Sequence, residues 1–111
     1  MFEKDLNIGY LLDFYGELLP TRKRTVMDMY FNEDFSLAEI AEQIGISRQG
    51  VRDIIKKSEE ELLFYEEKLG LASKLQVAIA KADELCAMAR SANVPSDIQV
   101  KLEALAKLIG Q

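Results

Sequence analysis

The sequence predicts an all-α protein, in which a helix-turn-helix domain over residues 1–69 is followed by a C-terminal helical extension over residues 70–111. Two observations support this fold class. Between residues 36 and 57, apolar residues recur at helical spacing on both sides of a glycine turn. Two heptad repeats of apolar residues follow, one before Gly70 and one after it.

The first two predicted helices precede the glycine turn. Apolar residues at helical spacing predict helix one from Lys4 to Leu18. Pro20 interrupts the chain there, and we expect Thr21 to cap a second helix that extends to about Phe31. Residues 32–34 form the loop to the next helix.

The helix-turn-helix unit spans residues 36–57. Ser36 and Glu39 have the spacing of a capping box, which predicts the start of a short helix. Gly45 follows the last apolar residue of that helix, at a position that often requires a positive φ angle. Ser47 is the predicted N-cap of the second helix.

The second helix of this unit has two contrasting faces. Its apolar face comprises Val51, Ile54 and Ile55. Its basic, hydrogen-bonding face comprises Arg48, Arg52 and Lys56, which lie four apart, with Gln49 beside them. An apolar back with a basic front near the helix N-terminus is what a reader of the DNA major groove requires. Small all-α proteins that bind no nucleic acid also contain such helix pairs, so a purely structural role stays open.

The recognition helix is predicted to continue as one long helix, because no stop signal occurs between Lys57 and Gly70. Its heptad seam comprises Val51, Ile55, Ser58, Leu62, Tyr65 and Leu69, and we expect Leu63 and Phe64 to widen that seam. Gly70 is the predicted C-cap or hinge.

The extension is predicted to contain two further helices, separated by Pro95. The seam of the fifth helix comprises Leu71, Leu75, Ala78, Ala82, Leu85 and Ala89. Ser96 and Gln99 have the spacing of a capping box for the sixth helix, whose apolar face comprises Ile98, Leu102, Leu105 and Ile109. These helices either pack on the N-terminal domain or pair two copies of the chain. We favour a homodimer, because two heptad seams offer more apolar surface than a short hairpin covers.

The composition indicates a globular protein without enzymatic activity. The sequence contains no histidine, and its single cysteine, Cys86, is expected to be a buried apolar residue. No phosphate-binding glycine loop and no paired carboxylates in an apolar setting are present. We therefore expect no catalytic site, no metal site and no cofactor.

Hydropathy and the first residues predict a cytoplasmic chain. No apolar run approaches the length of about 20 residues that spans a bilayer. The opening residues also lack the order of a signal peptide. We expect no membrane insertion.

Charge is unevenly distributed along the chain. The formal net charge is −5, which argues against indiscriminate binding to nucleic acid. Half of the 14 basic residues nevertheless lie in two groups, Arg22, Lys23 and Arg24 in one and Arg48, Arg52, Lys56 and Lys57 in the other. The first three oppose the dipole of their helix, which indicates an anionic partner or a solvated turn. The candidate nucleic-acid-binding residues are Ser47, Arg48, Gln49, Arg52, Lys56, Lys57, Arg22, Lys23 and Arg24.

The run LPTRKRTVMDMYFNEDFSLAEIAEQIGISRQGVRDIIKKSEEEL resembles the helix-turn-helix region of bacterial sigma factors that reads the upstream promoter element. This likeness covers about the first two-thirds of the chain and implies a sigma-factor-like fold there. With its opening FEKDLNIGYLLDFYGELLP, the whole chain resembles the YlxM-like family of bacterial helix-turn-helix proteins. That resemblance implies a link to the signal recognition particle pathway.

Two functional hypotheses follow. In the first, the protein is a DNA-binding regulator whose Arg48 and Arg52 contact guanine edges or phosphates and whose Gln49 contacts an adenine edge. The remaining candidates then hold phosphates. In the second, the protein is an RNA- or protein-interaction module of the secretion machinery, with signal recognition particle RNA or protein as its partner. The acidic net charge favours the second hypothesis.

Overall fold

A computed structural model describes residues 6–110 of the chain. These residues form six α-helices and one short 3-10 helix, with no strand among them, which confirms the predicted all-α class. The helices are α1 (Leu6–Tyr15), α2 (Thr21–Phe31), α3 (Leu37–Ile44), α4 (Arg48–Leu69), α5 (Leu71–Ser91) and α6 (Ser96–Ile109). The 3-10 helix, Gly16–Leu18, follows α1. The chain divides into two compact units, Met1–Leu69 and Gly70–Gln111.

Helix α4 is the centre of the first unit, where it packs against α1, α2 and α3. Val51, Ile55, Ser58 and Leu62 of its predicted seam are all completely buried. The hydroxyl of Ser58 donates a hydrogen bond of 2.7 Å to the carbonyl of Ile54, so this polar side chain is satisfied inside the core. The predicted seam is therefore correct through Leu62.

The C-terminal end of that seam differs from the prediction. Leu69 is exposed, and Leu63 and Phe64, which we expected to widen the seam, are also exposed. Each residue of a helix turns the side chain by about 100° from the previous one. Residues 63 and 64 therefore leave the buried side, since α1, α2 and α3 cover only one face of α4.

The starts and ends of three helices also differ from the predictions. Helix α1 ends at Tyr15 and tightens into the 3-10 helix, whereas its predicted start at Lys4 lies outside the described residues. Thr21 and Ser96 are first helical residues rather than caps, because Pro20 and Pro95 occupy the two N-cap positions. Each proline has an extended ψ angle. Its carbonyl accepts a hydrogen bond from a backbone N–H in the first turn of the helix that follows.

The second unit is a hairpin of α5 and α6. The buried stripe of α5 comprises Ala72, Ala82, Cys86 and Ala89. Burial of the free thiol of Cys86 confirms that prediction. The predicted seam is wrong at Leu71 and Leu85, which are exposed. At the second position the smaller Cys86, one residue later, is buried instead. On α6, Leu102 and Ile109 are half-buried, whereas Ile98 and Leu105 are exposed.

One exposed ion pair joins the two helices of the hairpin. Arg90 on α5 lies 3.4 Å from a carboxylate oxygen of Glu103 on α6. Along residues 6–110, no helix combines the length and the hydrophobicity that a membrane crossing requires.

Candidate nucleic-acid interface

The interface begins with the capping box of α3, which the sequence predicted. The hydroxyl oxygen of Ser36 accepts a hydrogen bond of 3.1 Å from the backbone N–H of Glu39. In return, the backbone N–H of Ser36 donates to Oε1 of Glu39 over 2.9 Å. The pKa of the Glu39 carboxyl is lowered mainly by the hydrogen bond from this backbone N–H. The interaction with the Ser36 hydroxyl lowers it further.

Gly45 makes the turn between α3 and α4. Its φ angle is 83° and its ψ angle 34°, as the predicted left-handed position requires. The backbone N–H groups of Gly45 and Ile46 both donate to the carbonyl of Ala41, over 2.9 and 3.1 Å. Apart from Gly45 and its two chain neighbours, no described residue has an atom within 4 Å of where a Cβ would lie, so glycine is needed for its φ angle and not for space.

Ser47 caps α4, as predicted. Its hydroxyl oxygen accepts a hydrogen bond of 3.0 Å from the backbone N–H of Gly50. A Cβ atom at Gly50 would lie 3.3 Å from Cδ1 of Ile46 and 3.3 Å from the Ser47 hydroxyl. The small size of Gly50 therefore keeps the turn and the cap closely packed.

The first three turns of α4 present the predicted basic face to solvent. Arg48, Gln49, Arg52, Lys56 and Lys57 are all exposed. They extend over about 14 Å of helix. The side chains of Arg48 and Arg52 form no hydrogen bond or ion pair with any residue between 6 and 110. The opposite face of this segment is fully buried at Val51 and Ile55, so packing fixes the direction in which the arginines point.

Asp53 is a member of this face that the sequence analysis did not single out. Its carboxylate accepts a hydrogen bond of 3.1 Å from the side-chain amide of Gln49. Residues four apart on a helix are neighbours, so their spacing was the available signal. The side-chain amide of Gln49 thus has an intramolecular partner in this structure.

The three basic residues of α2 occupy different environments. Arg22 is exposed and has no ion pair within the described part of the chain. The ammonium group of Lys23 is half-buried and forms an ion pair with Glu61 of α4. Arg24 lies 4.0 Å from Glu17 and 3.9 Å from Asp28.

Lys23 and Lys57 come together at a groove on the surface of the first unit. The groove has a volume of about 450 Å³ and is also lined by Glu60, Glu61, Phe64 and Tyr65. Two carboxylates thus lie beside the two ammonium groups. The groove that contains Lys23 and Lys57 is therefore close to neutral. The surface around Arg48 and Arg52 carries a net positive charge.

Helix α4 changes charge halfway along its length. Residues 48–57 contain four basic side chains and one carboxylate, whereas residues 58–69 contain five glutamates and one lysine. A strand of phosphates would attract the first half and repel the second. The charge of the helix therefore favours an anionic partner only at its N-terminal half.

Comparison with known proteins agrees with this architecture. The family model described as "Putative helix-turn-helix protein, YlxM / p13 like", UPF0122, matches residues 2–102. A UPF0122 protein of Oceanobacillus iheyensis is 44% identical over 99 residues, which cover 89% of this chain and 94% of that protein. The UPF0122 protein YlxM of Bacillus subtilis is 42% identical over 106 residues, which cover 96% of each chain. The chain therefore belongs to the UPF0122 family of YlxM/p13-like helix-turn-helix proteins.

Proposed function

We propose that this protein is a DNA-binding regulator that inserts the N-terminal half of α4 into the major groove. The observation that carries this proposal is the exposed pair Arg48 and Arg52, which has no carboxylate partner among residues 6–110 and is backed by a buried apolar face. An α-helix about 10–12 Å wide fits a major groove about 12 Å wide. In such complexes the N-terminal residues of the recognition helix contact the base edges.

Each residue of the basic face has a proposed role. Arg48 and Arg52 contact guanine edges or phosphates, and Gln49 contacts an adenine edge. The resemblance to sigma factors supports the roles of Ser47, Arg48 and Arg52. Base preference does not follow from it, because Gln49 and Gly50 depart from the common sigma-factor pattern.

Phosphate contacts set the orientation on the duplex. We assign these to Ser47, Lys56, Lys57 and Arg22, which are exposed on the same unit. Lys23 and Arg24 contribute less, because each already lies beside a carboxylate of this chain. For Lys23 the half-buried pair with Glu61 indicates a second role in fixing α2 on α4.

The regulator is proposed to act as a homodimer through residues 70–111. A two-fold dimer presents two recognition helices, which matches the paired half-sites that helix-turn-helix proteins commonly bind. The exposed leucines of α5 and α6 support this assembly.

A salt-dependent binding titration tests the DNA assignment. Genomic DNA fragments are titrated with the full chain at several salt concentrations, and signal recognition particle RNA is titrated in parallel. The proposal predicts tight binding to particular DNA fragments, with log Kobs falling against log salt with a slope of about −0.9 for each phosphate contacted. Absence of binding to every DNA fragment at low salt would contradict it.

A second candidate function is an RNA- or protein-interaction module of the secretion machinery. The acidic second half of α4 favours this alternative, because it limits how much of the helix can lie along DNA. Such a module can contact the phosphates of structured RNA with the same basic face and without reading bases. In the titration above, it predicts tighter binding to the RNA than to any DNA fragment.

A further inference from the structure

Gln49 and Asp53 lie on the side of α4 that faces away from the core. The buried face of this segment is centred between Val51 and Ile55. Since a helix turns by about 100° at each residue, Asp53 lies about 180° and Gln49 about 140° from that centre. Both side chains are exposed. When the N-terminal half of α4 enters a groove, this outermost side of the helix comes closest to the base edges.

The hydrogen bond between these two side chains fixes the orientation of the Gln49 amide. Nε2 of Gln49 donates to Oδ1 of Asp53 over 3.1 Å. An ionised carboxylate only accepts hydrogen bonds, so the amide must turn its nitrogen, and not its oxygen, toward Asp53. Within residues 6–110, neither side chain takes part in any other hydrogen bond or ion pair. The opposite orientation of the amide would bring two acceptor oxygens together.

The amide of Gln49 keeps one donor and one acceptor for a base. Its nitrogen carries two hydrogens, and the bond to Asp53 uses one of them. The second hydrogen and Oε1 match adenine in the major groove, where N7 accepts a hydrogen bond and the N6 amino group donates one. Guanine presents two acceptors, N7 and O6, at the same edge. While Asp53 holds one hydrogen, Gln49 cannot donate to both, and O6 meets an acceptor oxygen.

We propose that Asp53 is a positioning residue that makes Gln49 selective for adenine over guanine. This proposal rests on the proposed function, because it requires α4 to lie in the major groove, and it adds a feature of the DNA site, an A·T pair that faces Gln49. The carboxylate acts in two ways. It holds the amide in the orientation that adenine requires, and its charge repels O6 of a guanine at the same position.

Two variants that remove the same charge separate positioning from electrostatics. Asp53→Asn retains a side-chain oxygen that accepts the bond from Gln49, whereas Asp53→Ala does not. Both variants lose the carboxylate, so both should bind all DNA sequences more tightly than the wild type does. Fluorescence anisotropy is measured on the DNA fragment that the wild type binds most tightly and on versions in which each adenine is replaced in turn by guanine, with its partner base changed to match. The ratio of the two dissociation constants cancels the general gain in affinity.

Gln49→Ala identifies the base that Gln49 reads, because the preference for adenine should disappear only there. At that position the wild type should prefer adenine by about tenfold or more, as expected for a bidentate base contact. Asp53→Asn should keep this ratio within about twofold, and Asp53→Ala should lower it by about threefold or more, because the charged hydrogen bond is lost. Both residues are exposed, so circular dichroism should show the same helix content in every variant.

Equal discrimination by Asp53→Ala and the wild type would overturn the proposal. A loss in Asp53→Asn as large as that in Asp53→Ala would also overturn it, and so would a DNA site at which no preference for adenine depends on Gln49. In these three cases the wild type still binds DNA tightly, so the proposed function stands. A wild-type chain that binds no DNA fragment would overturn the proposed function and, with it, the positioning role of Asp53.

Discussion

At the residue scale, Gly45 forms the left-handed turn that ends α3. Its φ of 83° belongs to a region that non-glycine residues enter at a cost of about 1–2 kcal/mol. Gly45→Ala should therefore lower the free energy of unfolding by about that amount, although space for the methyl group is available. Gly45→Asn should cost less, because asparagine tolerates this conformation better. Urea titration of the variants measures both effects, and an alanine variant as stable as the wild type would contradict the assignment.

The capping box at Ser36 makes stability depend on pH. Ser36→Ala should destabilise the first unit by about 1 kcal/mol, because alanine lacks the hydroxyl oxygen that accepts a hydrogen bond from the backbone N–H of Glu39. Since the pKa of Glu39 is lowered on folding, its carboxylate stabilises the fold above the unfolded-state pKa. That contribution is lost as pH falls through the folded-state pKa.

Glu39→Gln isolates this pH effect, because glutamine keeps an acceptor oxygen but does not titrate. Urea titrations across the acidic range should show that the wild type loses more stability than Glu39→Gln. Parallel loss in the two proteins would show that the carboxylate of Glu39 makes no such contribution.

Asp53 places one negative charge on the basic face of α4. Asp53→Asn removes that charge and keeps an oxygen that can accept the hydrogen bond from Gln49. Affinity for DNA should rise several-fold at low salt, and by a similar factor on all sequences, because a repulsion from phosphate is removed. Glu67→Gln, in the acidic half of the same helix, is the matched control and should have little effect. Fluorescence anisotropy measures both, and equal gains would show that only net charge matters.

At the element scale, the buried seam of α4 explains the stability of the first unit. Leu62 is completely buried, whereas the adjacent Leu63 is 48% exposed. Leu62→Ala should lower the free energy of unfolding by about 2–5 kcal/mol, the range for truncating a buried leucine. Leu63→Ala should cost less than about 1 kcal/mol, since its side chain leaves no cavity. Similar losses in both variants would contradict the assigned orientation of α4.

The elements that the sequence predicts well are those fixed by local rules. The capping box at Ser36, the left-handed Gly45 and the Ser47 cap each depend on residues within a few positions of one another. The seam through Leu62 also followed from periodicity, because three helices cover that side of α4. The exposed basic positions at Arg48 and Arg52 came from the same pattern.

The errors arose where one pattern permits two structures. Thr21 and Ser96 are good caps, yet the proline before each one takes the cap position. On α5, the seams that contain Leu85 or Cys86 differ by one residue, and only packing against α6 selects the second. The partners of Gln49 and Lys23 depend on side-chain geometry, which periodicity does not specify.

At the scale of the whole molecule, two units divide the charge. Residues 1–69 have nine basic and fifteen acidic side chains and include the basic face, whereas residues 70–111 have five basic and four acidic ones and are close to neutral. This division agrees with a protein whose first unit approaches nucleic acid at one restricted place and whose second unit self-associates. Under the proposed function, non-specific binding to DNA should therefore be weak, and specific contacts of α4 should decide which sites are occupied.

A charge-matched pair of double variants tests the central claim most directly. Arg48→Ala with Arg52→Ala and Lys74→Ala with Lys81→Ala each remove two exposed positive charges. Fluorescence anisotropy on the DNA fragment that the wild type binds most tightly gives each affinity. The arginine pair should lose about 1–3 kcal/mol for each arginine, and the lysine pair on α5 should bind nearly as the wild type does. Equal losses in the two double variants would contradict a role for α4 as the DNA-reading helix.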